Sequence, residues 1–179
     1  MNGYNGSSLF GPNKTITRGE VACVLFNMAN EGSKVNDSTL GWKENTGYMT
    51  GFSDVYGKAY YAKAIAWAKR AGVVNGYGDG TFAPDKEITR EEFACMLANF
   101  AKLKGDYKYA DEDSVLAEFP DGASVSDWAE EAVAWAADAE IMGNNGSLTP
   151  GKAITRAEVA AMAVNYQPEG PEDLVTPKA

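Results

Sequence analysis

Three arginines stand at the same place in three copies of one short motif, and their setting suits the binding of an anion. The motif is Ile-Thr-Arg-x-Glu, and its arginines are Arg18, Arg90 and Arg156. A helix start disfavours a cation by about 0.3–1 kcal/mol, so a repeated arginine there needs a reason. A guanidinium beside free backbone N–H groups is a receptor for a carboxylate or phosphate. The alternative is structural: a solvated surface arginine, or an internal salt bridge to a carboxylate such as Asp54 or Asp121.

Each of these arginines is predicted to be positioned by the start of a helix. The preceding threonine fits the N-cap, and a glutamate three residues later completes a capping box. An isoleucine before the cap and an apolar residue after the glutamate are placed to form a hydrophobic staple. The threonine–glutamate pairs are Thr17–Glu20, Thr89–Glu92 and Thr155–Glu158. The threonine and the glutamate need no role beyond the capping of the helix.

A second block precedes the last two copies of the motif. It begins with Phe52-Ser-Asp54 and Phe119-Pro-Asp121, and aromatic-rich stretches follow at 60–71 and 125–139. Apolar residues recur there at helical spacing, with Gly72 as a helix stop and Ser126 or Asp127 as a cap.

The repeats predict a mainly α fold of tandem helix–loop–helix units. Trp67 and Trp135 hold matched places in the aromatic helices and are expected in the core, whereas Trp128 stands at a helix start and is expected at the surface. The Gly76-Tyr77-Gly78-Asp79-Gly80 segment is a turn-forming loop. Short extended pairs are expected around Phe52 and Phe82.

The repeats also define the domain organisation. Residues 1–30 are the second half of a first repeat, residues 31–102 hold the second repeat with a preceding loop, and residues 103–166 hold the third. Residues 167–179 contain three prolines with acidic neighbours and are predicted to be a flexible tail.

Composition excludes several classes of function. The 179 residues carry a formal net charge of -9, which disfavours nucleic acid and membrane surfaces as partners. Histidine is absent, so the commonest general base and metal ligand is missing. No apolar run approaches the ~20 residues that cross a bilayer. The first residues lack the features of a signal peptide, so an export signal is expected elsewhere than in this chain.

Catalysis and metal binding are weaker interpretations. Asp54 and Asp121 are the pair a glycosidase would need, but they occupy equivalent positions in different repeats, which favours a scaffold or a multivalent binder. The Gly78-Asp79-Gly80 segment lacks the spaced ligands of a calcium loop. Cys23 and Cys95 are expected to be small buried residues. We therefore predict no enzyme activity, no metal and no cofactor.

The order of these motifs resembles the S-layer homology family from about Gly3 to Tyr166. The resemblance rests on Phe-x-Asp, the aromatic helix, the Gly76–Phe82 loop and the three Ile-Thr-Arg-x-Glu copies. It implies a pseudo-threefold module whose grooves, between neighbouring repeats, bind an anionic secondary cell-wall polysaccharide that often carries pyruvate. It also implies an extracellular, cell-wall or S-layer location and a role in anchoring a surface protein to peptidoglycan-attached polymer.

The resemblance implies a set of ligand-binding residues as well. The motif arginine is a ligand contact in the family, and the glycine-rich loop and nearby aromatic rings line the groove. The expected positions are Arg18, Arg90, Arg156, Asp54, Asp121, Gly76, Tyr77 and Trp128. Binding is expected first near Arg90.

The chain departs from the family pattern in two places. The first repeat lacks its leading helix, so one groove is expected to be incomplete or filled by residues 31–51. The third copy has a shortened loop at 143–148 without the tyrosine, so its groove is expected to be weaker. The alternative function is a protein-interaction or assembly module, with self-association through the incomplete first repeat.

Overall fold

The computed structural model describes residues 10–29 and 36–166, and those residues form a helical array without a sheet. Within these two ranges, six α-helices and two 3₁₀ turns, at Gly122–Ser124 and Asp127–Ala129, follow one another. The helices are α1 (Arg18–Met28), α2 (Ala62–Arg70), α3 (Arg90–Lys104), α4 (Glu112–Ala117), α5 (Glu130–Asp138) and α6 (Arg156–Asn165). The prediction of a mainly α fold is confirmed.

The three Ile-Thr-Arg segments meet at the centre and close a ring of backbone hydrogen bonds. The Ile88 N–H donates to the Ile16 carbonyl (3.1 Å), the Ile154 N–H to Ile88 (3.0 Å) and the Ile16 N–H to Ile154 (3.2 Å). All three isoleucines are fully buried. Each repeat therefore contacts both of the others, which is the pseudo-threefold arrangement that the family resemblance implied.

The helix starts around this ring are built as the motif predicts. Thr17, Thr89 and Thr155 are the N-caps of α1, α3 and α6, and the glutamate three residues later completes a capping box in each case. Each arginine N–H then donates to a lysine carbonyl of the next repeat: Arg18 to Lys86, Arg90 to Lys152 and Arg156 to Lys14. The ring thus satisfies N–H groups that an isolated helix start leaves free.

The helices of adjacent repeats pack in pairs across the ring. α1 packs on α2, and α3 packs on α5, which also contacts α4. Trp67 of α2 and Trp135 of α5 are 7% and 3% exposed, so both belong to the core as predicted. Gly72 follows α2 with a φ of +73°, a conformation that glycine adopts without strain. Its predicted role as a helix stop is confirmed.

Several local predictions were wrong. Neither Ser126 nor Asp127 caps α5, which begins at Glu130 after a 3₁₀ turn with no side-chain cap. Three isolated bridges in the described residues join the motif segments, at Thr17–Glu87 and its two counterparts, and a fourth, Lys43–Gly47, lies within one loop; none of the four pairs the residues around Phe52 with those around Phe82. Helix α4 was not predicted at all. Its N-cap is Asp111, whose carboxylate accepts from the Ser114 N–H.

The third motif helix differs from the other two in its surroundings. Within residues 10–29 and 36–166, no other helix packs on α6, and Ala161 on it is exposed. Residues 36–51 lie against the second repeat: Asp37 pairs with Lys63 of α2 (2.8 Å), and the Tyr48 N–H donates to the Gly57 carbonyl. The described part of this segment therefore covers α2. Residues 31–35 lie outside the described residues.

Candidate functional site

The main candidate site is a groove of about 730 Å³ between α3 and α5. The loop that follows α2 forms one end of it, and side chains from all three repeats line it. The lining residues with polar or aromatic side chains are Arg18, Asn75, Tyr77, Lys86, Glu92, Asn99, Lys102, Trp128 and Glu131. We call this surface the α3/α5 groove.

Glu92 is the centre of a charged cluster at the loop end of the groove. One of its carboxylate oxygens lies 3.3 Å from Arg18 Nη1 and 3.2 Å from Lys86 Nζ, and it accepts from the Tyr77 hydroxyl (3.0 Å). Lys86 also donates to the Tyr77 hydroxyl (3.0 Å). The Arg18 guanidinium stacks over the Tyr77 ring at 4.8 Å. The cluster holds the tyrosine ring and two cations in fixed positions.

The pKa shifts of Glu92 and Lys86 keep both groups charged at neutral pH. Burial pushes the pKa of Glu92 upward, but the Thr89 N–H and the charge of Arg18 outweigh burial and hold it below its ordinary value. The hydrogen bond with Tyr77 raises the pKa of Lys86. Half of the Lys86 side chain is exposed, whereas Arg18 is buried. Lys86 is therefore the cation of this cluster that solvent reaches.

The groove is locally positive on a negative protein. Its lining carries the cations Arg18, Lys86 and Lys102 against the carboxylates Glu92 and Glu131, whereas the whole chain has a net charge of -9. Lys102 and Glu131 form an ion pair of 2.7 Å from α3 to α5. Surface charges beyond about 8–10 Å are screened at physiological salt, so a bound anion interacts mainly with these near groups.

The three motif arginines are buried and paired, not solvated. Each donates from Nε to a backbone carbonyl of the next repeat: Arg18 to Phe82, Arg90 to Leu148 and Arg156 to Phe10. Their Nη1 atoms face the capping glutamates of that repeat, Glu92 at 3.3 Å, Glu158 at 3.1 Å and Glu20 at 3.9 Å. The structural alternative predicted Asp54 or Asp121 as partners, and those partners were wrong.

Asp54 and Asp121 instead hold the loops of their own repeats. Asp54 accepts from the N–H groups of Phe82 and Ala83 (2.8 and 2.6 Å). Asp121 accepts from Leu148 N–H, the Ser147 hydroxyl and Thr149 N–H, and these bonds, led by the Leu148 N–H, lower its pKa to about 2. Neither aspartate lines the α3/α5 groove, so the structure gives both a loop-fixing role.

The structure groups only some of the predicted site residues. Gly76, Tyr77 and Trp128 line the α3/α5 groove as expected, together with Arg18. Arg90, near which binding was expected first, does not line it. The reason is that each motif arginine reaches into the following repeat, so Arg90 lies beside the third repeat's shortened loop.

Two important groove residues were missed from the sequence. Lys86 lies two residues before the Ile-Thr-Arg-x-Glu motif, and a lysine recurs at that place as Lys14 and Lys152, so the repeat itself carried a signal. Lys102 has no such counterpart, since Asn30 stands at the matching place in the first repeat. Cys95 also lines the groove. It and Cys23 are unbonded and half-buried rather than buried.

Two further features bear on the class of protein. Among residues 10–29 and 36–166, no group of three or more histidine, cysteine, aspartate or glutamate side chains is placed to hold a metal ion. No helix in the same ranges is long and apolar enough to cross a membrane. The fold and the groove together define a threefold helical repeat module that presents aromatic rings and paired charges between its repeats.

Comparison with known proteins agrees with this class. The S-layer homology domain model matches residues 1–22, 51–94 and 118–160, one segment in each predicted repeat. The chain belongs to the S-layer homology family.

The relatives include both surface proteins and an enzyme. The chain is 34% identical over 155 residues to an amylopullulanase of Thermoanaerobacterium thermosulfurigenes, covering 86% of this chain and 8% of that protein. It is 33% identical over 158 residues to the surface-layer 125 kDa protein of Lysinibacillus sphaericus (86% and 12%). It is 35% identical over 107 residues to a cellulosome-anchoring protein of Acetivibrio thermocellus (59% and 22%). The chain thus spans less than a quarter of each.

Proposed function

We propose that this module attaches an extracellular surface protein to the cell wall by holding an anionic, pyruvylated secondary wall polysaccharide in the α3/α5 groove. The observation that carries the proposal is the cluster of Lys86, Tyr77 and Arg18 around Glu92 at the end of that groove. It offers an exposed ammonium for a carboxylate close to an aromatic ring, and Trp128 lines the same groove. A pyruvate ketal on a sugar carries that combination of an anion and an apolar ring face.

The groove suits a sugar polymer for a second reason. Trp128 is 62% exposed and Tyr77 is 37% exposed, and exposed aromatic rings that also offer a polar edge are suited to mixed surfaces. The amide groups of Asn75 and Asn99 add hydrogen-bonding partners along the lining. A non-catalytic role is supported by the relatives, because enzymes and surface proteins share this same region with the chain.

The first test is a pull-down with purified peptidoglycan sacculi, carrying their attached polymer or stripped of it. The wild-type chain is expected to bind only the polymer-bearing sacculi. Lys86→Ala is expected to weaken that binding about tenfold, because a charge-assisted contact to a carboxylate contributes roughly 1.5 kcal/mol. Half of the Lys86 side chain is exposed, so its removal is expected to leave the fold intact.

The chain supplies a matched control. Lys152 stands at the matching place of the third repeat, two residues before the motif, is 59% exposed, and pairs with Glu158 as Lys86 pairs with Glu92. Lys152→Ala is expected to bind like wild type, because Lys152 lies outside the α3/α5 groove. Equal losses in both variants would show non-specific attraction to a charged wall. Binding to stripped sacculi would exclude the polymer as the ligand.

One observation favours assembly as a second function. Within the described ranges α1 and α3 are each covered by a helix of the following repeat, whereas α6 has no such helix. Ala161 on α6 is exposed, while Cys23 and Cys95 at the matching places are partly covered. We propose that the α6 surface pairs with the same surface of a second copy of the chain.

Light scattering across a concentration series tests this pairing. The molar mass of the wild-type chain is expected to rise from monomer towards dimer with concentration. Ala161→Glu is expected to keep the chain monomeric, because it places like charges opposite each other in a twofold contact. A wild-type chain that remains a monomer at every concentration would remove the support for assembly.

A further inference from the structure

A buried carboxylate on α3 binds the segment that leads to Trp128. Glu91 is 7% exposed, and its two oxygens accept from one residue of the third repeat: the Ser126 N–H (3.1 Å) and the Ser126 hydroxyl (3.1 Å). A buried carboxylate is stable only where hydrogen bonds replace its water. Both oxygens of this one are used at Ser126.

Ser126 begins the turn that carries the aromatic ring. Its carbonyl accepts from the Ala129 N–H (2.7 Å), which closes the 3₁₀ turn Asp127–Ala129. Trp128 lies in the middle of this turn, 62% exposed and in the wall of the α3/α5 groove. A ring with so much exposed surface has few packing contacts to orient it. Its direction therefore depends on the backbone of the turn.

We propose that Glu91 is a positioning residue, which clamps Ser126 so that the Trp128 ring is fixed in the wall of the α3/α5 groove before a ligand arrives. The inference rests on the proposed function, in which that groove receives a sugar polymer. A side chain that is already ordered loses less conformational entropy on binding, and the affinity rises accordingly. Glu91 itself does not line the groove, so it acts through Trp128.

The other repeats lack this clamp. The residues at the place of Glu91 are Gly19 in α1 and Ala157 in α6. A side chain at Gly19 would meet the Tyr61 ring, since its Cβ would lie 2.9 Å from Tyr61 Cδ1. At the α1–α2 contact, the absence of a side chain at Gly19 leaves room for the Tyr61 ring. At the α3–α5 contact, the Glu91 carboxylate binds Ser126 at the start of the 3₁₀ turn. The clamp makes the α3/α5 groove different from its counterpart between α1 and α2.

Binding to polymer-bearing sacculi tests the inference through a double-mutant cycle. Glu91→Ala and Trp128→Ala are each expected to weaken binding about tenfold, equal to about 1.4 kcal/mol. The double variant is expected to bind no worse than Trp128→Ala alone, because the two residues act through one ring. Losses that multiply would overturn the inference, since Glu91 would then act independently of Trp128.

Two further variants guard against a loss of folding. Ser126→Ala removes one of the two hydrogen bonds and keeps the backbone N–H. Binding is therefore expected to fall only about threefold, which is roughly half of the binding free energy lost in Glu91→Ala. Glu118→Ala changes an exposed glutamate of the same repeat and is expected to bind like wild type. A loss of binding in Glu118→Ala would show that the removal of any negative charge from this repeat weakens binding, which would contradict the clamp.

The motion of Trp128 gives a readout that does not need a ligand. In a Trp42→Phe background the remaining tryptophans besides Trp128 are buried, so acrylamide-sensitive fluorescence reports on Trp128. Glu91→Ala is expected to add a fast, large-amplitude decay to its anisotropy. An unchanged decay would overturn the positioning role. Failure of the wild-type chain to bind any sacculus would instead contradict the proposed function, so the two failures are distinguishable.

Discussion

Replacing Arg18 with alanine is expected to lower the free energy of unfolding by about 3 kcal/mol, because it removes the buried cation that pairs with the buried Glu92 carboxylate and leaves only the half-exposed Lys86 to balance that charge. Arg18 and Glu92 side chains are 8% and 10% exposed, and Arg18 also donates to the Phe82 carbonyl. For a chain of this length that loss shifts the melting temperature by roughly 6–12 °C. Chemical denaturation followed by circular dichroism measures the difference.

The same carboxylate offers two controls for Arg18→Ala. Lys86 also pairs with Glu92, but half of its side chain is exposed, so Lys86→Ala is expected to cost less than about 1 kcal/mol. The double variant Arg18→Ala/Glu92→Gln is expected to be more stable than Arg18→Ala, because the buried carboxylate that lost Arg18 is replaced by a neutral amide and glutamine can still complete a capping box. A double variant less stable than the single one would show that the buried charge of Glu92 is not the cause.

Gly76→Ala is expected to disrupt the loop that carries Tyr77 and to lower the free energy of unfolding by about 3 kcal/mol. Binding to polymer-bearing sacculi is expected to be lost with the loop. Gly76 has a φ of +74°, which strains any residue with a Cβ. That Cβ would also lie 2.3 Å from Phe52 Cε1 and 2.5 Å from the Thr81 carbonyl oxygen. Phe52 is in the core and the Thr81 oxygen accepts from Tyr77, so neither atom can move freely.

Gly80→Ala separates the two causes of this loss. Gly80 lies in the same loop with a φ of +82°, but no atom lies within 4 Å of its Cβ position. Its substitution therefore carries the backbone strain alone, about 1 kcal/mol, and is expected to leave most of the binding intact. Equal losses of stability in the two variants would show that the contacts with Phe52 and Thr81 play no part. Thermal unfolding and the sacculus pull-down measure both effects.

The parts of the fold that depend on local sequence were predictable. The capping boxes at Thr17, Thr89 and Thr155 follow from residues three positions apart, and the burial of Trp67 and Trp135 follows from their matched places in the two aromatic helices. Helix α4 was missed because it has only six residues, too short for a clear period. Ser126 was taken for a cap because serine is a common one, whereas its hydroxyl donates to Glu91.

The site was less predictable because it depends on contacts between repeats. The arginine was expected to pair, if at all, with Asp54 or Asp121, whereas the ring turns each arginine towards the capping glutamate of the following repeat. For the same reason Arg18, and not Arg90, lies beside Tyr77. The sequence shows that a lysine recurs at the place of Lys86. It does not show how exposed that side chain is, because the exposure depends on the packing of the loop after α2 against α3. Sequence periodicity does not contain that information.

The central ring also has a consequence for how the chain folds. In a linear repeat array each unit rests on its neighbour, and folding can begin anywhere and spread. Here the Ile16 N–H of the first motif segment is hydrogen-bonded to the Ile154 carbonyl of the last. The first segment to be synthesised therefore gains this contact only after the last one has been made. Closing so long a loop has an entropic cost before any contact offsets it. The three repeats are therefore expected to fold and unfold as one cooperative unit. A chain that lacks its last helix is not expected to form a stable, partly folded state.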